Sequence, residues 1–194
     1  MHARAMFEMQ QGFVSAGWRG MALAGLAPDD VRRHPPMQNS VAWLIWHVAR
    51  WQDVVASSWI AERTQVLDAD RFADRIGAGT RHVGTGMTFD EAVRVSRALD
   101  LDALLDYWDA VTVRASEVVS GLADVDYDRI VPNAARAVSA ADGAYGDART
   151  SAWLDGFLTD KAVGWFVMFM PFHMSEHIGE ALSVRGQLGL SLGG

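Results

Sequence analysis

The chain has no cysteine. That absence excludes a disulfide framework, a thiolate zinc site and a cysteine nucleophile, so any metal must be held by nitrogen and oxygen. Positive charge is also scarce. With 17 Lys and Arg against 24 Asp and Glu, the formal charge is -7. The Arg residues are scattered rather than gathered in a stripe, which argues against a nucleic-acid partner. The longest apolar run, residues 162–172, falls short of the ~20 residues that cross a bilayer, so no membrane partner is expected. The opening residues carry no apolar stretch followed by a cleavage site; no secretory signal is expected, and the cytoplasm is the expected location. No run alternates in the manner of a strand, and neither an internal repeat nor a second composition is present. What remains is a 194-residue chain, half of it hydrophobic, enough for one sizeable core and read as a single domain over 1–194.

What is present is helical periodicity. Met6, Met9, Phe13, Trp18, Met21 and Leu26 mark a first amphipathic helix, weakened by Gly12, Gly17 and Gly20. Prolines at 28, 35 and 36 break the pattern, with His34 in the break as a loop residue. A second helix opens after Pro36 with Asn39 or Ser40 as N-cap and runs to about residue 61–63, its stripe being Val41, Leu44, Val48, Trp51 and Val55. Residues 64–87 read as a long polar loop over a site. Its four glycines lack the Gly-Lys-Ser/Thr ending of a phosphate loop, and its His82 reads as an exposed loop residue. Thr88 and Glu91 form a capping box, Asp100 caps again, and a third long helix runs from Leu101 to about Gly121. Residues 124–150 lack an apolar period and read as a second long loop with at most a short helix, followed by a helical turn at 151–158. The last helix covers about 161–188, with Thr159 or Asp160 as its cap and Pro171 expected to kink it. The expected fold is all-α, a four-helix bundle with long connecting loops and a site at one end.

The last helix carries the chemistry. At ~100° per residue, Phe166, Met170, His177, Glu180 and Val184 lie within about 60° of His173, so two imidazoles and a carboxylate project from an apolar stripe. Histidines at i and i+4 bring two ring nitrogens within reach of one divalent ion. His47, on the buried half of the second helix, is the candidate third ligand. Three neutral imidazoles with water leave positions open, as catalytic metal sites do, and suit zinc, nickel, copper or iron. Glu180 is placed to act as a fourth ligand, as an acceptor for a His N–H, or as a general base; Glu176 lies to the other side and reads as solvated or as orienting a neighbour. Trp43, Trp46, Trp165 and Phe169 are the candidate pocket lining from helical geometry.

The segments NSVAWLIWHVARW, residues 39–51, and HMSEHIGE, residues 173–180, resemble the DinB-like (YfiT-type) superfamily across most of the chain. The resemblance implies a helical bundle with one metal site, a divalent ion (zinc or nickel, with iron a further option) on His47, His173 and His177, and a homodimer. It also implies the chemistry of the superfamily's thiol-dependent S-transferases and isomerases, in which a low-molecular-weight thiol such as mycothiol or bacillithiol is activated against a small electrophile, with Glu180 as the candidate catalytic residue. Relatives commonly carry Gln where Glu180 stands. The reading therefore expected is a metal- and thiol-dependent enzyme acting on a small molecule. The alternatives are a non-enzymatic, stress-related module binding a metal or small ligand, and a purely structural dimer.

Overall fold

Ser40 starts the helix around which the others pack. Its side chain accepts a hydrogen bond from the Trp43 backbone N–H at 3.1 Å, satisfying one of the donors that every helix start leaves open. From there a helix runs over Val41–Asp53 and widens into π-helical turns over Val54–Ile60. All residues of Val41–Asp53 are buried, including His47, Arg50, Gln52 and Asp53. A helix enclosed on every side carries its polar groups to where an unmade hydrogen bond is costly.

The computed structural model describes residues 3–146 and 148–190. In chain order the helices are α1 (Ala3–Gly17, continuing in π-helical turns over Trp18–Leu23), α2 (Pro28–Arg32), α3 (Val41–Asp53 with its π-helical extension), α4 (Val66–Ala69), α5 (Phe72–Arg75), α6 (Phe89–Ala98), α7 (Leu101–Ser120), α8 (Asn133–Ala141), α9 (Ala148–Leu158) and α10 (Val163–Gln187). Four of them make the bundle: α1 packs on α10, α10 on α3, α3 on α7, and α7 back on α1. No strand occurs among the described residues; a single β-bridge joins Ile130 to Ala162. None of the described helices is long and apolar enough to cross a membrane.

The expected capping box and the second cap hold. Thr88 Oγ1 accepts from Glu91 N at 3.3 Å while Glu91 accepts from Thr88 N at 2.8 Å, and Asp100 accepts from Ala103 N at 2.9 Å. Other expectations need correction. The 124–150 segment, expected to hold at most a short helix, contains the nine-residue α8 and the start of α9; the face α8 buries carries Arg136 and Ser139, so no apolar period announces it. The 64–87 segment contains α4 and α5. Thr159 closes α9, bonding the Asp155 carbonyl at 2.5 Å, and Asp160 has a left-handed φ of 57°; α10 starts after Ala162 with no side-chain cap. Pro171 sits inside α10, as expected, and the helix runs on to Gln187.

The core divides into two apolar clusters. One gathers Trp18, Leu44, Trp46, Leu104 and Trp108 with Met174 and Val184. The other gathers Trp51, Val55, Trp59, Val163, Phe166 and Met170. Each fully buried large side chain contributes about 1.5–3 kcal/mol. On α10 the clusters change over between Met170 and Met174, and His173 lies at that seam.

Candidate metal centre

α3 and α10 together bring three histidines to one point. One ring nitrogen from each of His47, His173 and His177 lies within 4.8 Å of the other two, and the ring centroids are 5.0 Å apart for His47 and His173, 4.8 Å for His47 and His177, and 4.6 Å for His173 and His177. The ligand set expected from sequence therefore converges in space. His47 Nδ1 lies 2.5 Å from the Val83 carbonyl oxygen, and His177 Nδ1 lies 2.8 Å from Glu180 Oε2. Both partners can only accept, so both δ-nitrogens donate and both ε-nitrogens keep a free lone pair. His177 Nε2 then faces His173 Nε2 at 3.2 Å, a contact that requires a proton on one of the two nitrogens or a cation between the rings. Two nitrogens held at ~2.1 Å by one ion, at angles from octahedral to tetrahedral, sit about 3.0–3.4 Å apart. The residues present fit a divalent ion.

The electrostatics favour the same state. Burial, reinforced by the neighbouring His173 and His177, holds the His47 imidazole well below its ordinary pKa. Burial first and His177 second lower His173 to about 3. Both rings are neutral at pH 7 and their lone pairs are available. Trp43 stacks on His47 at 4.7 Å and Phe169 on His173 at 5.0 Å, so the imidazoles are fixed between aromatic planes. Glu180 Oε1 is 3.5 Å from Asn39 Nδ2 at the start of α3. Of the roles open to Glu180, the one the geometry displays is acceptor for His177.

The loop between α5 and α6 closes over His47. Val83 N donates to the Ala144 carbonyl at 2.9 Å, Trp51 Nε1 donates to Thr85 at 3.0 Å, and Gly84 lies directly on the His47 ring. Gly84 has φ +99°, and a Cβ there would come within 2.7 Å of both His47 Nδ1 and Trp43 Cζ2. Gly84→Ala should therefore lift the loop and release His47. A strained φ and overpacking each cost ~1–3 kcal/mol, and a lifted loop relieves both together, so the expected loss is about 1–3 kcal/mol, read in urea denaturation; a change below about 0.5 kcal/mol would show that the loop is not held there.

Beside the histidines opens a cleft of about 450 Å³, lined by Trp51, Thr85, Trp165, Phe169, His173 and His177, with α9 as its far wall. Trp165 and Phe169 line it as expected. Trp43 and Trp46 do not; they are buried in the first core cluster. Sequence reasoning missed Trp51, Trp153 and Phe157. Trp51 follows His47 by four residues and so shares its helix face, a signal that was available; Trp153 and Phe157 are 60% and 45% exposed and mark a surface that periodicity assigns to no core. Glu176 is exposed at the cleft. His34 bonds the Gln38 carbonyl at 2.9 Å. His82, half-buried rather than exposed, accepts from Gly84 N at 2.7 Å; neither joins the triad.

Comparison with known proteins adds three findings. A family model described as the DinB superfamily matches residues 21–181. A crystal structure of a conserved protein from Enterococcus faecalis superposes with a TM-score of 0.74 at 14% identity, covering 97% of this chain and 99% of that one; at that identity it speaks to the fold alone. No curated protein matches.

Proposed function

The chain belongs to the DinB superfamily, and from that premise we propose that it is a divalent-metal-dependent enzyme whose metal is held by His47, His173 and His177, with a low-molecular-weight thiol as co-substrate and a small electrophile as substrate. The observation that supports it most directly is the 3.2 Å approach of His173 Nε2 to His177 Nε2, with His47 completing the set. A bound zinc or nickel ion supplies Lewis-acid charge that lowers the pKa of a coordinated thiol or water. The chain's own residues do the rest. The Val83 carbonyl holds the His47 tautomer, Glu180 holds that of His177, and Trp43, Trp51 and Phe169 keep bulk water from the imidazoles. Glu180, partly exposed beside His177, is also the group placed to take up a proton at the edge of the site. The reading includes a homodimer, supported by the apolar groove of about 550 Å³ that Met9, Phe13, Met168 and Phe172 leave between α1 and α10.

Elemental analysis tests this reading. Protein purified without an affinity tag should carry about one zinc, nickel or iron per chain, and Glu180→Gln should lower metal affinity about 10–100-fold by leaving His177 unoriented. No bound metal after reconstitution of the wild type would overturn the proposal; unchanged affinity in Glu180→Gln would remove its orienting role.

A further inference from the structure

Two aromatic ladders meet beside the histidines. On α10, Trp165 stacks on Phe169 at 5.2 Å with planes 12° apart, and Phe169 stacks in turn on His173 at 5.0 Å and 21°. On α9, Trp153 and Phe157 lie parallel at 5.7 Å, their planes 1° apart. The ladders join where Phe157 meets Trp165 edge to face, at 5.6 Å and 75°. The result is a trough with two flat walls, one ending on His173 and the other open to solvent.

The trough is built yet unfilled by the chain itself. Trp153 is 60% exposed and Phe157 45%, while Trp165 and Phe169 are half-buried. Large apolar rings left this accessible next to a polar centre mark a ligand site rather than core. Its electrostatics are one-sided. Among the described residues lining it, Glu176 is the only acidic one and no Lys or Arg is present; Lys161 sits against Trp165 with its Nζ 5.7 Å from the ring centroid, outside the lining.

We infer that this trough receives a planar aromatic ligand that is uncharged or cationic, its ring laid on the Trp165–Phe169 wall with an edge toward Trp153 and Phe157, and its reacting end toward His173 and His177. Parallel and edge-on ring walls are the two geometries that aromatic quadrupoles favour. Along its walls, away from the ion that His173 and His177 would hold, a carboxylate-bearing ligand would meet Glu176 and no compensating cation. The inference rests on the metal-enzyme reading for the direction of the reacting end, and it deepens that reading: the electrophile, rather than a polar thiol conjugate, occupies the apolar trough.

Isothermal titration of the full chain tests it, with naphthalen-2-ylmethanol as the aromatic probe, cyclohexylmethanol as the saturated control and 2-naphthoate as the anionic one. All three are titrated into metal-loaded and metal-stripped protein, so that direct carboxylate–metal attraction is separated from the trough. The aromatic alcohol should bind saturably in both forms, about tenfold more tightly than the saturated one, and 2-naphthoate should bind more weakly than the alcohol in the metal-stripped form. Trp153→Ala, at an exposed position, and Trp165→Ala should each weaken the alcohol about tenfold with metal content unchanged. Equal binding of saturated and aromatic alcohols, tighter binding of the naphthoate without metal, or no effect of either substitution would overturn the inference. Failure of the wild type to take up metal overturns the preceding proposal instead, because ring binding is scored on the metal-stripped protein independently.

Discussion

Replacing His47 with alanine is expected to abolish metal binding while the bundle stays helical. The reason lies in how the site is divided between elements. α10 supplies an i,i+4 pair whose nitrogens are 3.2 Å apart, but only α3 supplies a ligand from a second helix, so the substitution reduces a candidate three-nitrogen site to a pair on one helix. Loss of an orienting partner alone costs about 10–100-fold in affinity; loss of a ligand should exceed that and leave less than about one tenth of an ion per chain. The substitution also removes a ring stacked on Trp43 at 4.7 Å and leaves the Val83 carbonyl without its partner, for about 1–3 kcal/mol, which a bundle with two large core clusters should tolerate. Thermal denaturation separates the two effects. Adding metal should raise the wild-type Tm through linkage and leave that of His47→Ala unmoved. A variant that keeps full metal occupancy would show that His47 is not a ligand.

Much of this site is readable in the sequence because its signals are local. The His173 and His177 spacing is a property of one helix, and the Ser40, Thr88 and Asp100 caps are each written within four residues. His47 is half-local: its helix face is readable, but its meeting with α10 depends on bundle topology. What stays hidden has two physical causes. The first is a buried polar face. α8 hides Arg136 and Ser139, and Ser139 accepts from Trp59 Nε1 at 2.9 Å, so a search for apolar period passes over it. The second is an apolar face that stays exposed. Trp153 and Phe157 wall a cleft instead of the core, and nothing in their i,i+4 spacing says which. The π-helical widenings after Gly17 and Asp53 carry no composition signal at all, since the residues in them are ordinary helix and core formers.

The least readable feature is also the one whose removal should cost most. Asp53→Ala is expected to destabilise the chain by about 3–5 kcal/mol, against a total of roughly 5–15 kcal/mol for a domain. Asp53 and Arg50 are both fully buried, two turns and one turn beyond His47 on α3. The carboxylate accepts from Ser57 at 2.8 Å and Val66 N at 2.9 Å on one oxygen, and from Tyr107 at 2.8 Å, Leu67 N at 3.0 Å and Arg50 at 3.5 Å on the other. Burial holds the Tyr107 phenol well above its ordinary pKa, so it remains a donor. Arg50 also donates to the Arg81 carbonyl at 2.9 Å, two residues before the carbonyl that holds His47. Removing Asp53 leaves a guanidinium without its counter-charge and two backbone N–H groups without acceptors, in a space from which water is excluded. Because the network ties both ends of the 64–83 segment to α3, metal affinity should fall as well, although Asp53 is not among the three clustered histidines. Urea denaturation gives the stability term. Pairing Arg50→Met with Asp53→Leu should recover part of it, since the orphaned charge is removed while the Val66 and Leu67 N–H groups stay without acceptors. A loss below about 1 kcal/mol in Asp53→Ala, or a double variant no more stable than the single, would show that the pair is not what secures the loop above the three histidines.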